Sequence, residues 1–162
     1  MDILDGSQIT AALIELGVTH VVWLPDSALG PWETAIESAP QLNLVRVCRE
    51  GEAWAIAAGL YLGGARPVVM IQNTGLFESG DALRNVLFDL QLPLWAVIGF
   101  RSYFVQNSPD TARKFTEPIL QAWGIETTLI EQPNSADRLI EHFRKVDAEG
   151  RPGVVLIAEG RM

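Results

Sequence analysis

Apolar positions in this chain fall into short continuous runs, separated by stretches with helical spacing. The runs at 18–24, 44–48, 68–72, 94–98, 126–130 and 154–158 are rich in β-branched and other apolar residues, as strands of a covered sheet are. The first helix is read as capped by Ser7, with Ile9, Leu13, Ile14 and Leu16 on its apolar face and Gly17 at its end. Pro25-Asp26-Ser27 forms a turn, and Pro31 suits the first turn of a helix reaching Ser38. An alanine-rich helix covers 51–62 and is stopped by Gly63-Gly64. Asn73-Thr74-Gly75 is read as a polar turn before a helix over 79–90. Residues 99–110 have no periodicity and form a long loop. Two further helices cover 111–123, where Pro118 marks a kink or break, and 135–146.

Strands alternating with helices predict an α/β fold: a doubly wound, mostly parallel six-stranded sheet with helices on both faces. No internal repeat, low-complexity stretch or linker interrupts it, so 1–162 is read as a single domain.

Composition narrows the function classes. Hydrophobic residues make up 48% of the chain, too many for a disordered one. A net charge of −8 without any basic run argues against a nucleic-acid partner. Anionic small substrates stay open, because local arginines can override the global charge. Cys48 is the single cysteine and falls in a predicted buried strand, so neither a disulfide framework nor a cysteine metal site is expected. Residues 1–6 lack the pattern of a signal peptide, and no apolar run approaches the length of a membrane span. These features predict a soluble cytoplasmic protein.

Several familiar sites are missing. No Gly-x-Gly-x-x-Gly follows the first strand, and there is neither a Gly-Lys-Ser/Thr phosphate loop nor a Gly-x-Ser-x-Gly elbow. His20 and His142 are read as exposed or hydrogen-bonded structural residues. What remains is a set of residues at the predicted carboxyl ends of strands: Asp26, Ser27, Glu50, Gln72, Asn73, Thr74 and Gly75. Open α/β sheets bind ligands at that edge. Glu50 has two readings, a first-turn residue worth ~0.3–1 kcal/mol to its helix, or a proton-handling carboxylate. Glu52 favours the first reading and is itself read as plain helix charge. Asp26, Ser27, Gln72, Asn73 and Thr74 likewise either satisfy turn backbone or line a site.

Three segments carry a family resemblance. Arg49-Glu50-Gly51-Glu52-Ala53-Trp54-Ala55-Ile56-Ala57-Ala58-Gly59 resembles the segment that holds the glutamate of the pyrimidine-binding domain in thiamine diphosphate enzymes. Met70-Ile71-Gln72-Asn73-Thr74-Gly75-Leu76 is similar to a run in phosphonopyruvate and sulfopyruvate decarboxylases, and Leu24-Pro25-Asp26-Ser27 resembles their loop after the first strand. The three stand in the family's order, and the resemblance covers nearly the whole chain.

The resemblance implies a thiamine diphosphate-dependent 2-oxo acid decarboxylase. Glu50 would be the catalytic residue, hydrogen-bonded to a ring nitrogen of the aminopyrimidine and favouring the tautomer that deprotonates the thiazolium carbon. Burial beneath Ala53 and Trp54 would help that carboxyl share a proton. Pro25, Asp26, Gln72, Asn73 and Thr74 would complete the cofactor site. Asp26, Ser27, Asn73, Tyr103, Gln106 and Asn107 would face the substrate, with 103–107 as a lid or wall. The family's magnesium and diphosphate motif, Gly-Asp-Gly with a later Asn, has only Gly80-Asp81-Ala82 as a counterpart here, so no metal ligand is assigned to this chain. The resemblance therefore implies the α subunit of a hetero-oligomer whose β subunit holds Mg2+ and the diphosphate. A carboligase subunit and a non-catalytic binding subunit of the same fold remain alternatives.

The chain also departs from the pattern. Some relatives carry a histidine in the loop after the fourth strand, and residues 101–110 have none. Tyr103, Phe104, Gln106 and Asn107 suit a less charged or aromatic substrate better than a sulfonate or phosphonate, although Arg49, Arg101 or Arg113 remain available to an anion. The five tryptophans are read as core for the most part, with some at a subunit interface.

Overall fold

The computed structural model describes residues 3–27 and 29–159. Met1 and Asp2, which open the segment read above for a leader, lie outside the described residues. The chain runs α1 (Gly6–Glu15), β1 (His20–Trp23), a 3₁₀ turn (Gly30–Trp32) into α2 (Glu33–Glu37), β2 (Asn43–Arg46), α3 (Glu50–Leu62) and β3 (Pro67–Gln72). Then come α4 (Asn73–Glu78), α5 (Gly80–Arg84), a π segment (Asn85–Asp89), β4 (Trp95–Phe100), α6 (Thr111–Ala122), β5 (Glu126–Ile130), α7 (Ala136–Ala148) and β6 (Gly153–Ala158).

All strand pairs are parallel, in the order β2-β1-β3-β4-β6-β5. The period-2 alternation sorts side chains between two cores. Val68, Met70, Trp95, Val97, Val155 and Ile157 join α1, α2 and α7 on one face. Val69, Ile71, Ala96, Ile98, Val154 and Leu156 join α3, α4, α5 and α6 on the other. This is the doubly wound α/β fold that the sequence predicts. From β1 the chain leaves toward β2, whereas from β3 it leaves toward β4. The winding thus reverses between β1 and β3, and such a reversal opens a crevice at the carboxyl ends of the two strands.

Local readings change in five places. Asp5, not Ser7, caps α1: its Oδ1 accepts from Gln8 N at 2.8 Å, and Gln8 Oε1 accepts from Asp5 N at 2.9 Å. An Asp-x-x-Gln box satisfies two end groups at once, more than Ser7 alone would. Cys48 is exposed and lies beyond the end of β2, an edge strand paired on one side only. Asn73-Thr74-Gly75 is the first turn of α4, so β3 passes straight into a helix. The strand read to residue 98 continues to Phe100, in register with Ala158. Finally, α6 runs through Pro118 without breaking. Pro118 and Lys114, four residues before it, are both exposed, so the carbonyl left without an N–H lies on the solvent side.

Four of the tryptophans, Trp23, Trp32, Trp54 and Trp95, are buried core, and Trp123 is half-buried. His142 is a buried residue whose Nδ1 lies 3.0 Å from Thr128 Oγ1, and burial lowers its pKa. Among the described residues, no helix is long and apolar enough to cross a membrane.

Candidate active site

Helix α3 begins at Glu50, and its first backbone N–H groups need acceptors that the helix cannot supply. Glu52 Oε2 takes the N–H groups of Cys48 and Arg49, each at 3.2 Å, so Glu52 is a working cap and not idle helix charge. Glu78, from α4, reaches across to accept from Gly51 N at 2.9 Å. The same carboxylate pairs with Arg49 at 2.9 Å, and the hydrogen bond from Arg49 holds its pKa below the ordinary glutamate value. The capping explanation for Glu50 is therefore met by its neighbours. Among the described residues, none donates a hydrogen bond to the half-buried Glu50 carboxylate.

That carboxylate instead lies against α4. A Cβ placed on Gly75 would stand 2.3 Å from Glu50 Cγ and 2.6 Å from its Oε1. Only glycine allows this approach, so Glu50 and the turn after β3 share one compact corner of the crevice. Beneath them Trp54 is fully buried and donates from Nε1 to Ser79 Oγ at 3.0 Å, locking α3 onto the α4–α5 junction.

The other strand-end residues take different places. Gln72 closes β3 and accepts from Thr74 Oγ1 at 3.1 Å. Asn73 is 0% exposed and donates from Nδ2 to Thr116 Oγ1 at 3.1 Å, tying α4 to α6, while its Oδ1 has no partner among the described residues. Asp26 Oδ1 accepts from Leu29 N at 3.0 Å, as a turn-stabilising aspartate does, beside exposed Pro25 and Ser27.

The loop at 101–110 is tied down on several sides. Arg101 Nε pairs with Asp110 at 2.9 Å and Ser102 Oγ donates to the same oxygen at 3.0 Å; the hydrogen bond from Arg101 lowers the Asp110 pKa. Tyr103 OH donates to Glu131 at 2.7 Å, and this bond, with burial, raises the phenol's pKa. Gln106 and Asn107 are exposed at the loop's crest, Asn107 with φ 54°. The arginines offered for an anion already have partners: Arg49 has Glu78, Arg101 has Asp110, and Arg113 Nε donates to Tyr103 O at 3.1 Å.

Glu159 escaped the sequence reading. It follows β6 as Glu50 follows β2, and the same strand-end rule would have found it. Its backbone is pinned to Phe100 O and Phe104 N. Burial, then the Asp26 charge, push its pKa up to about 7, against an opposing pull from Arg101. A folded-state value above the unfolded one means that folding takes up a proton. Stability from this group is full at acidic pH and is lost as pH rises toward and through about 7. Denaturation of Glu159→Gln at pH 5 and pH 8 is expected to show a gain over wild type that is larger at pH 8. An equal effect at both pH values would refute the assignment.

Comparison with known proteins adds descent to this geometry. A phosphonopyruvate decarboxylase of Streptomyces viridochromogenes is 33% identical over 143 residues, covering 86% of this chain and 36% of that protein. The chain is homologous to the phosphonopyruvate and sulfopyruvate decarboxylases. Sulfopyruvate decarboxylase subunit alpha of Methanocaldococcus jannaschii is 26% identical, over 81% of this chain and 79% of the subunit. The subunit alpha of Methanococcus maripaludis is 24% identical, with 80% and 79% covered. The chain thus spans about a third of the Streptomyces protein's length and about four fifths of each archaeal subunit's. No family model matches the chain.

Proposed function

We propose that this chain is the α, pyrimidine-binding subunit of a thiamine diphosphate-dependent 2-oxo acid decarboxylase, and that 1–162 forms its single domain. One observation carries the reading. Glu50 presents a carboxylate with no described hydrogen-bond donor at the sheet's carboxyl edge, held there by a glycine that leaves it room. A flat aminopyrimidine fits here, because its ring nitrogen needs a carboxyl group, not already engaged by the protein, with which to share a proton.

In this proposal Glu50 holds a proton at its carboxyl against a ring nitrogen of the pyrimidine. Gln72 and Thr74, at the end of β3, orient the ring's polar edge together with Pro25 and Asp26. Asn73 fixes the corner from inside through Thr116. Asp26, Ser27 and the 103–107 wall face the 2-oxo acid, Phe104, Gln106 and Asn107 being the wall's exposed groups, while Asn73 is fully buried and acts through the corner it fixes. When bound, thiamine diphosphate supplies the electron sink for loss of carbon dioxide. Magnesium and the diphosphate belong to a β subunit, consistent with relatives that are named subunit alpha. Among the described residues, no group of three or more His, Cys, Asp or Glu is arranged to hold a metal ion. A cytoplasmic hetero-oligomer follows from this reading.

The test is co-expression with the protein of a neighbouring reading frame that carries Gly-Asp-Gly and a later Asn. A panel of 2-oxo acids is then assayed with thiamine diphosphate and magnesium. Carbon dioxide release and a cofactor-dependent thermal shift are expected. An intact complex with neither would favour a non-catalytic subunit, and condensation products without net decarboxylation a carboligase.

A further inference from the structure

Strand β6 ends at Ala158, in register with Phe100 at the end of β4, so Glu159 emerges beside Arg101 at the sheet's carboxyl edge. Its backbone is held there: Glu159 N donates to Phe100 O at 3.2 Å, and Phe104 N donates to Glu159 O at 2.9 Å. Arg101 turns away from it, donating from Nε to Asp110 Oδ2 at 2.9 Å, where Ser102 Oγ donates as well. Among the described residues, none donates a hydrogen bond to the half-buried Glu159 carboxyl or forms an ion pair with it. From the turn after β1, the Asp26 charge acts on the same group. Two carboxyls, Asp26 and Glu159, thus stand on the substrate side of the proposed site.

A substrate with a second anionic group needs the opposite, guanidinium or ammonium groups open to a sulfonate or phosphonate. The arginines at this edge are engaged, Arg49 by Glu78, Arg101 by Asp110 and Arg113 by Tyr103 O. The wall has no charged residue from 102 to 109 and exposes Phe104, Gln106 and Asn107.

We propose that Glu159, with Asp26, is a specificity-determining residue that keeps a second anion out of the site, so that the substrate is a 2-oxo acid with an uncharged side chain. This rests on the function proposed above, and it sets the chain apart from relatives named for phosphonopyruvate and sulfopyruvate. Specificity is a difference of affinities, so repulsion of the wrong substrate serves as well as attraction of the right one.

The repulsion depends on pH. Burial, then the Asp26 charge, hold the Glu159 pKa at about 7, against a pull from Arg101, which is itself paired with Asp110. Above that value Glu159 is an anion and repels a sulfonate; below it the carboxyl is neutral. A sulfonate stays charged throughout, and every 2-oxo acid carries the same carboxylate, so neither alters the comparison.

The experiment measures kcat/KM at pH 6 and pH 8 for pyruvate, phenylpyruvate, sulfopyruvate and a 2-oxo acid with a basic side chain. It uses the complex with the neighbouring-frame protein, thiamine diphosphate and magnesium. Pyruvate or phenylpyruvate is expected to be favoured over sulfopyruvate. That ratio should rise about tenfold from pH 6 to pH 8, as the neutral fraction of a group titrating at about 7 falls. In Glu159→Gln the ratio should be smaller and no longer vary with pH. In parallel, 13C NMR of the isolated chain follows the Glu159 carboxyl, whose midpoint should fall in Asp26→Asn, a change that keeps an acceptor for Leu29 N. Sulfopyruvate or the basic acid turned over best, a wild-type ratio indifferent to pH, or a midpoint unmoved by Asp26→Asn overturns the inference and leaves the decarboxylase reading standing. No turnover of any 2-oxo acid by an intact complex sinks that reading, and the substrate assignment with it.

Discussion

Glu50→Gln is expected to lower turnover about 10²- to 10⁴-fold, measured with the partner subunit, thiamine diphosphate and magnesium present, while fold and complex survive. The substitution keeps the side chain's shape against Gly75 and removes only its ability to exchange a proton. Fold stability should hardly change, because the N–H groups at the start of α3 bond to Glu52 and Glu78 instead. That division of labour makes the experiment informative. Were Glu50 the helix cap, Gln would cost stability and leave catalysis alone. Near-normal turnover in an intact complex would remove Glu50 from the chemistry and, with it, the main support for a cofactor role.

The sheet was legible because burial on both faces leaves a strong trace. Residues 68–72 and 154–158 have almost no polar side chain, and both are central strands. The edges were less legible. β2 pairs on one side only, so Cys48 looked like strand in an apolar run although the ladder ends at Arg46. The strand-end rule located Glu50 and Asp26, and applied once more it would have located Glu159. Asn73 was different: its residue type pointed to a turn or a ligand contact, but Thr116, 43 residues away, turns it into a buried strut. No local pattern announces a partner so distant. Glu78 was missed for the same reason, since its role depends on Arg49 and Gly51 arriving from another helix. The pose of the loop at 101–110 comes partly from its own Arg101–Asp110 and Ser102–Asp110 contacts and partly from distant groups, Glu131 and Glu159, that no local pattern announces.

Gly75→Ala is expected to lower turnover by about two orders of magnitude without unfolding the chain, since displacing a reacting group by about 1 Å can cost that much. The reason is steric. The new methyl would stand 2.3 Å from Glu50 Cγ and 2.8 Å from its Cδ, both well inside van der Waals contact. The contact is made by the middle of the glutamate side chain, so the whole carboxylate must leave its pose and not merely rotate its tip. Because Glu50 is half-buried, it can swing outward, and α4, starting one residue before Thr74, gains a better helix former. Stability should then change by no more than about 1 kcal/mol, while the carboxylate no longer meets its target. A double-mutant cycle separates misplacement from any independent damage to α4. If Gly75→Ala acts by moving Glu50, then adding it to Glu50→Gln should lower turnover little further. Fully multiplicative losses would mean that glycine serves the site in some other way and that the Glu50 pose against α4 is not the catalytic one.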